Sequence, residues 1–449
     1  MKRKTDTYFY KTFFSLFAVV ALQNLIVFSV NLADSMMLGS YNEAAMSGVS
    51  LANQIQFLLQ CVINGAANGL VVIASQYWGE KKTEPIKKVF TACFWSAVVI
   101  SAVLSVIIIS APTGILGLLS DETDIINAAA GYTRIMGFSY IIFSVSFVLT
   151  ALMRSVESVK IGFYTSVMAL VVNISLNYVL IFGKFGFPEL GAVGAAYATL
   201  ASRIVELIAV TVYVLVIDKK ICFRLADIFK VEKIYFRDFL KAGSPLMGSG
   251  FSWGIAMALQ TAIIGRLGSA AIGANAVASP IFQVVSVLYT SSGNASGVLI
   301  GKTVGENDIP RVKVYTKRLQ KMYLVIGLIS CAVLLVMKNP ILSFYDISDE
   351  TRRLSSAFII ILAVTVVGSA YEMPCLCGIV SGGGDTSFVL FNDIVFMWFM
   401  VLPLSALSAF VFKWPIAATF FILKSDQITK CFVAAVKVNR YKWIKKLTR

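Results

Sequence analysis

Residues 38–56, LGSYNEAAMSGVSLANQIQ, and residues 264–282, IGRLGSAAIGANAVASPIF, decide how this chain is organised. Laid over one another at a shift of 226 residues, Gly39 falls on Gly265, Ala44 and Ala45 on Ala270 and Ala271, and Ala52 on Ala278. The same shift carries Asn68 onto Asn294, Gly79 onto Gly305, Glu80 onto Glu306 and Ser155 onto Ser381. One register held from Gly39 to Ser155 marks the two halves of the chain as repeats.

What repeats is apolar sequence. Of 449 residues, 58% are hydrophobic and only 14% charged, and the mean hydropathy is +0.80. A soluble domain is about half apolar and about a quarter charged. Runs of at least about 18 apolar residues recur, each long enough to cross a hydrocarbon core of about 30 Å. Twelve such spans fit between residues 12 and 436. A transmembrane barrel would instead show alternating segments of about ten residues. The expected fold is therefore an all-α polytopic membrane protein, with twelve transmembrane helices in two parallel six-helix repeats around a central cavity. Six spans per half bring both halves in from the same side, as in transporters built from parallel repeats. Residues 1–217 form the expected N-terminal lobe and 237–449 the C-terminal lobe. The connection at 218–236 is too charged to span, and its apolar spacing suggests a short surface helix.

The formal charge of +15 reflects topology and argues against a nucleic-acid partner. Basic residues gather in Lys2, Arg3 and Lys4, in EKKTEPIKK (80–88), in the 218–241 loop, in RVKVYTKRLQK (311–321) and in the tail VNRYKWIKKLTR (438–449). This positive-inside pattern places both termini in the cytoplasm and the chain in the cell membrane, with the lipid bilayer as its partner. The first apolar segment is long and lacks a small-residue cleavage site, so it reads as the first helix. The seven cysteines fall mostly within spans and imply no disulfide framework, and Cys375 and Cys377 read as packing residues. With no histidine, the chain lacks the commonest metal ligand and the usual proton carrier near neutral pH. SGGGDTS (381–387) lacks the lysine of a phosphate-binding loop, and no HExxH or GxSxG cluster occurs. Neither ATP nor another cofactor is implied, and the chain does not read as an enzyme.

Polar chemistry enters the spans at particular places. Asn53, Gln56, Gln60, Asn64 and Asn68 share one face of span two. Span eight carries Gln283, Ser286, Thr290 and Asn294 at matching positions. Two such stripes suit either the walls of a wet cavity or hydrogen bonding between helices, which contributes about 0.6 to 2 kcal/mol per contact. Carboxylates are the sharper signal, because an Asp at a helix centre costs roughly 2.5–3.5 kcal/mol to insert. Glu206 follows Arg203 by one turn, and Asp426 lies between Lys424 and Lys430, so both read as structural ion pairs. Glu372 and Asp393 have no neighbouring cation in the sequence and are secondary candidates for protonation.

Asp34 stands apart because of its company. In NISLNY (173–178), Asn173 and Asn177 share a helix face at a depth close to that of Asp34. One carboxylate and two amides can bind a proton, or an alkali cation through several oxygens. The second half does not copy the group: Asp34 maps to Gln260, Asn173 to Phe399 and Asn177 to Pro403. Gln260 joins the cavity-lining candidates on that mapping. The second half differs in another way, since Pro245, Pro280, Pro374 and Pro403 fall within or at the start of its spans and permit bends.

At these residues the chain resembles the multidrug and toxic compound extrusion (MATE) family. The resemblance rests on NLADSMMLG (31–39), on NISLNYVLIFGKFGFPELGAVGAAYATLASR (173–203), on GIVSGGGDTS (378–387) and on the ending LKSDQITKCFVAAVKVNRYKWIKKLTR (423–449). It implies an antiporter that expels organic, often cationic, compounds in exchange for H+ or Na+, with the cation site at Asp34, Asn173 and Asn177. Some members carry an aspartate at the position of Asn177, so the charge here is lower. Some sodium-coupled members use an acid in span seven, and residues 242–264 contain none. No metal beyond Na+ at Asp34 is expected, and a monomer is. Two other readings remain open: a lipid-linked oligosaccharide flippase of the wider superfamily, which calls for a strongly basic cavity, and a sensor or structural membrane protein.

Overall fold

Helix formation follows directly from the long apolar runs, and caps fix several of the ends. The computed structural model describes residues 2–118, 122–345 and 347–449, and of residues 2–7, 43 and 44 it describes the backbone alone. The side chains of the basic Lys2, Arg3 and Lys4 thus lie outside the described residues. Among the described residues there is no strand. The first half comprises α1 (Lys2–Tyr41), α2 (Glu43–Gly79), α3 (Thr83–Ser110), the short α4 (Pro112–Leu116), α5 (Thr123–Ser155), α6 (Lys160–Phe182) and α7 (Gly191–Val212). The second comprises α8 (Lys233–Gly265), α9 (Ser269–Gly305), α10 (Ile309–Phe344), α11 (Asp349–Met373), α12 (Thr386–Ile394), α13 (Leu402–Ala406), α14 (Ile416–Leu423) and α15 (Asp426–Asn439). Asp308 caps α10 by accepting from the Arg311 amide at 3.0 Å, with Pro310 in the first turn. Ser348 does the same for α11 through the Thr351 amide. The left-handed Gly183, at φ +62°, ends α6.

Ten helical segments among the described residues are long and apolar enough to cross a membrane. Two of the twelve expected spans fall outside that set. Gly248, Ser249, Gly250, Ser252 and Gln260 dilute the apolar content of α8, although it runs unbroken for 33 residues. The span expected at 414–436 breaks between α14 and α15, where Lys424, Ser425 and Asp426 interrupt the apolar run. Proline and local unwinding coincide in part. Beyond α11, Pro374 starts a π-helical turn to Val380, and a second π turn, Val395–Val401, leads into α13 with Pro403. Pro245 and Pro280 lie inside α8 and α9.

The chain divides into two compact units. One holds Leu22–Ala74 with Lys81–Met247; the other holds Met1–Ala21, Ser75–Glu80 and Gly248–Arg449. The breaks at Ala21 and Met247 are 226 residues apart, the same shift that relates the sequence repeats. The opening turns of α1 and of α8 are therefore grouped with the other half of the sequence, in pseudo-symmetric fashion. Within the first unit, the expected surface helix of the connection is a single 3-10 turn, Leu225–Phe229, docked on α3. Thr91 and Trp95 of α3 donate to the Asp227 and Ile228 carbonyls at 3.1 and 2.9 Å.

In the second unit, the end of α2 crosses the end of α9 with backbone against backbone. A Cβ added at Gly79 would strike the Lys302 carbonyl, and one at Gly305 would strike the carbonyl of Gln76. Those two contacts are copies of one another under the 226-residue shift. The chain after α15 then seals this crossing. Trp443 is fully buried against Gly383, and the Lys445 amide donates to the Gly383 carbonyl at 2.7 Å. Lys437 and Lys445 both pair with Asp385, at 2.7 and 2.8 Å. Lys446 pairs with Glu80 at 2.8 Å, Thr448 also bonds Glu80, and the Leu447 amide donates to the Gln76 side chain at 2.8 Å.

Candidate functional site

Asp34 lies near the end of α1, six helical turns beyond the last charged residue of that helix, Lys11. Asn173 and Asn177 lie one turn apart on α6, and both are wholly buried. The Asn177 amide nitrogen donates to Asp34 and also to the Asn173 carbonyl oxygen, the latter at 3.1 Å. Asn173 in turn donates to the Thr199 hydroxyl of α7 at 3.4 Å. Three helices thus converge on one carboxylate through a single chain of hydrogen bonds. The Asn177 side-chain oxygen is buried and has no donor. An orphan acceptor beside a carboxylate is where a proton carried by Asp34, or a cation, would be received. Among the described residues no group of three His, Cys, Asp or Glu could hold a metal ion, so an alkali cation here would rest on one carboxylate and neutral oxygens.

Asp34 opens onto a cavity of about 250 Å³ inside the first unit. Asn53, Gln56 and Gln60 of α2 line it, as the shared face of span two implies. Asn64 and Asn68 do not; they bond each other at 3.3 Å. Sequence reasoning passed over Tyr132, Ser166, Thr199 and Ser202, which also line the cavity, with Tyr132 donating to Asn53 at 3.4 Å. Arg203 and Glu206 form the expected ion pair at 2.8 Å, with the guanidinium 5.1 Å from the centre of the Phe143 ring. Both line the same cavity as Asp34, so the pair is part of the site's charge pattern. The available signal was the helical spacing of Thr199, Ser202, Arg203 and Glu206, a polar stripe on α7 like that on α2.

The candidates of the second half stand in the other unit. Gln260 is buried, donates to the Met397 sulfur at 3.3 Å and accepts from Lys424 at 3.3 Å. Ser286 and Thr290 donate to the Gln283 and Ser286 carbonyls of their own helix, Gln283 is exposed and Asn294 is half-buried. Asp393 accepts from Ser249 and pairs with Lys430 at 3.0 Å. Lys430 also reaches Asp426 at 3.5 Å. Glu372 stands within Coulomb range of Lys430, Asp426 and Asp393. Three carboxylates therefore surround one buried lysine.

Membrane-crossing helices in two units, with a polar cavity walled by five of them and a half-buried carboxylate inside, define a multi-pass membrane transporter. A family model described as MatE matches residues 20–179 and 245–407, well over half of the chain, and the chain belongs to that family. The uncharacterized transporter YisQ of Bacillus subtilis is 22% identical, covering 99% of this chain and 97% of its own. The probable multidrug resistance protein NorM of Halalkalibacterium halodurans is 25% identical, covering 88% and 87%. Among solved structures, a MOP superfamily transporter from Pyrococcus furiosus superposes with a TM-score of 0.86 at 18% identity, covering 96% and 95%. A multidrug resistance MATE family transporter in an outward-facing conformation superposes with a TM-score of 0.84 at 18% identity, covering 96% of each chain. These superpositions show the same fold.

Proposed function

We propose that the chain is a secondary active antiporter of the cell membrane that exports organic, often cationic, compounds in exchange for H+ or Na+. The observation that carries this reading is the bond from Asn177 to Asp34 at the edge of a polar cavity, beside an orphaned Asn177 oxygen. A proton or Na+ taken up at Asp34 neutralises the carboxylate and satisfies that oxygen. A cationic compound in the cavity draws on the same negative charge. The two ligands then favour different states of the protein, which is the thermodynamic requirement for exchange. The two lobes, 1–217 and 237–449 joined by 218–236, alternate access to the site, with both termini cytoplasmic and the chain monomeric. The multidrug-resistance names of the NorM relatives support the substrate class.

Glu372 and Asp393 form a second protonation site in this reading, because Lys430 is shared between Asp393 and Asp426, with Glu372 within Coulomb range of all three. The flippase alternative called for a strongly basic cavity. The cavity's one arginine is paired with Glu206, and Asp34 leaves a surplus of negative charge, which favours cations.

The test is uptake of a fluorescent organic cation into inside-out vesicles, with pH and Na+ gradients imposed separately. Wild-type protein should accumulate dye under one gradient, and Asp34→Asn should lower that flux at least tenfold while remaining folded. Equal flux in both proteins would move coupling to Glu372 or Asp393. No flux from wild-type protein with several dyes would remove the exporter reading.

A further inference from the structure

The cavity beside Asp34 holds two further charges that the exchange at Asp34 leaves unused, Arg203 and Glu206. They stand at the middle of the 27-residue span Gly191–Ile217, where an ionisable side chain is expensive and marks a functional site by default. One hydrogen bond joins them, from Arg203 Nη1 to Glu206 Oε2 at 2.8 Å, although a guanidinium offers five donors. Their side chains are 20% and 13% exposed, so the pair is reached from the cavity and is not sealed in packing. The Phe143 ring supports the guanidinium from one face.

A second resting place for Arg203 lies one turn back along the same stripe. The hydrogen-bond chain from Asp34 through Asn177 and Asn173 ends on Thr199 of α7. Arg203 follows Thr199 by four residues, on the same face. Helical side chains lean toward the helix N-terminus, which for Arg203 is the Thr199 side. Asp34 and Tyr132 lie within Coulomb range of the guanidinium. The charged and titratable groups that face it across the cavity are Asp34 from α1, Tyr132 from α5 and Glu206 from α7. Helices α2 and α6 contribute only amides, a hydroxyl and apolar groups.

Two carboxylates and one guanidinium leave one negative charge, and a site inside a membrane protein favours neutrality. The cavity therefore suits one further cation and not two, and that cation takes whichever carboxylate Arg203 leaves free. We propose that Arg203 is a relay between Glu206 and Asp34, and that Glu206 binds the cationic group of the exported compound. The relay rests on the antiport reading and supplies its exchange step. Arg203 rests on Glu206 in the structure, which leaves Asp34 open to the coupling ion. A compound that takes Glu206 displaces the guanidinium to Asp34, and its arrival expels the ion there. Ion uptake at Asp34 returns Arg203 to Glu206 and releases the compound, so the two ligands still exclude one another at Asp34.

The experiment measures binding of radiolabelled tetrapropylammonium, a permanent cation with no proton of its own, to the purified full chain. Affinity is compared at acidic and alkaline pH, and with and without Na+. In wild-type protein the coupling ion should weaken cation binding about 10- to 100-fold, as two coupled sites do. Arg203→Gln leaves both carboxylates open at once, so the ion should weaken binding less than about threefold. Arg203→Lys keeps a movable charge and should restore the exclusion. Glu206→Gln should lower cation affinity about tenfold or more, and Glu206→Asp should keep most of it. Exclusion of wild-type strength in Arg203→Gln overturns the relay alone and leaves direct competition at Asp34. Unchanged cation affinity in Glu206→Gln overturns the assignment of Glu206. If Arg203→Gln fails to fold, Glu206→Gln still decides, because direct competition at Asp34 leaves its affinity unchanged. Wild-type protein that does not bind the cation, or binds it equally under every ion condition, overturns the antiport reading and the relay with it.

Discussion

Asn177 gives both of its amide protons away, one to Asp34 and one to Asn173, and that double donation fixes the carboxylate against α6. A hydrogen bond to a charged group contributes about 1.5–3 kcal/mol. Asn177→Leu is therefore expected to shift the half-saturating concentration of the coupling ion by about 10- to 100-fold, read from flux against ion concentration. An unchanged midpoint would take Asn177 out of the site. The Asp34 group was legible in the sequence because a lone carboxylate in an apolar run is costly and two amides at i, i+4 face one way. Arg203 and Glu206 were harder to assign, because a pair three residues apart satisfies itself locally and looks the same on a bundle surface as in a cavity wall. The partner of Asp393 was not legible at all. Lys430 lies 37 residues away on a different helix, and only the fold brings the two within 3.0 Å. Lys430→Met leaves Asp393 without its cation, and breaking a buried pair costs about 3–5 kcal/mol. Thermal unfolding should show that loss, and pairing the change with Asp393→Asn should recover part of it.

At the scale of elements, the crossing of α2 and α9 depends on the absence of side chains. Gly79 faces the Lys302 carbonyl and Gly305 faces that of Gln76, so an added methyl at either position must push backbone apart. Overpacking of this kind costs about 1–3 kcal/mol. Gly79→Ala and Gly305→Ala should lower the unfolding temperature by similar amounts, while Gly265→Ala, with nothing within 4 Å of the new methyl, should not. The glycines matched in the repeat, but a one-dimensional match cannot say that they touch. The packing of the tail was not legible for a different reason. A basic stretch reads as topology whether or not it finds partners, and here Lys437, Lys445 and Lys446 all have acidic partners and Trp443 is core. Trp443→Ala is expected to cost about 3–5 kcal/mol. Burial acts to raise the Asp385 carboxyl, but its hydrogen bonds to Lys437 and Lys445 and their charges outweigh this and hold it below 3.8. Its contribution is then complete above pH 3.8 and fades as pH falls through the lower folded-state value. Cleavage of the tail by an acid-active protease should accelerate in that acidic window, and at neutral pH it should not.

Across the whole molecule, the backbone is repeated and the chemistry is not. The 226-residue shift relates the glycines of the crossing, the breaks at Ala21 and Met247 and the paired polar faces of α2 and α9. It turns Asp34 into Gln260 and the two asparagines into Phe399 and Pro403. The second unit instead surrounds Lys430 with three carboxylates at unrelated positions. The helical architecture was legible almost throughout, because hydropathy and length dictate which segments cross a membrane. The exceptions are α8 and the broken α14–α15, where small and polar residues weaken the apolar signal. In the proposed exchange, Asp34 is the place where coupling ion and exported compound exclude one another. The most direct measurement is proton release, or Na+ displacement, when an organic cation is added to purified protein in weakly buffered solution. Wild-type protein should release ion in proportion to the compound bound, and Asp34→Asn should bind the compound without release. Equal release from both proteins would contradict exchange at Asp34.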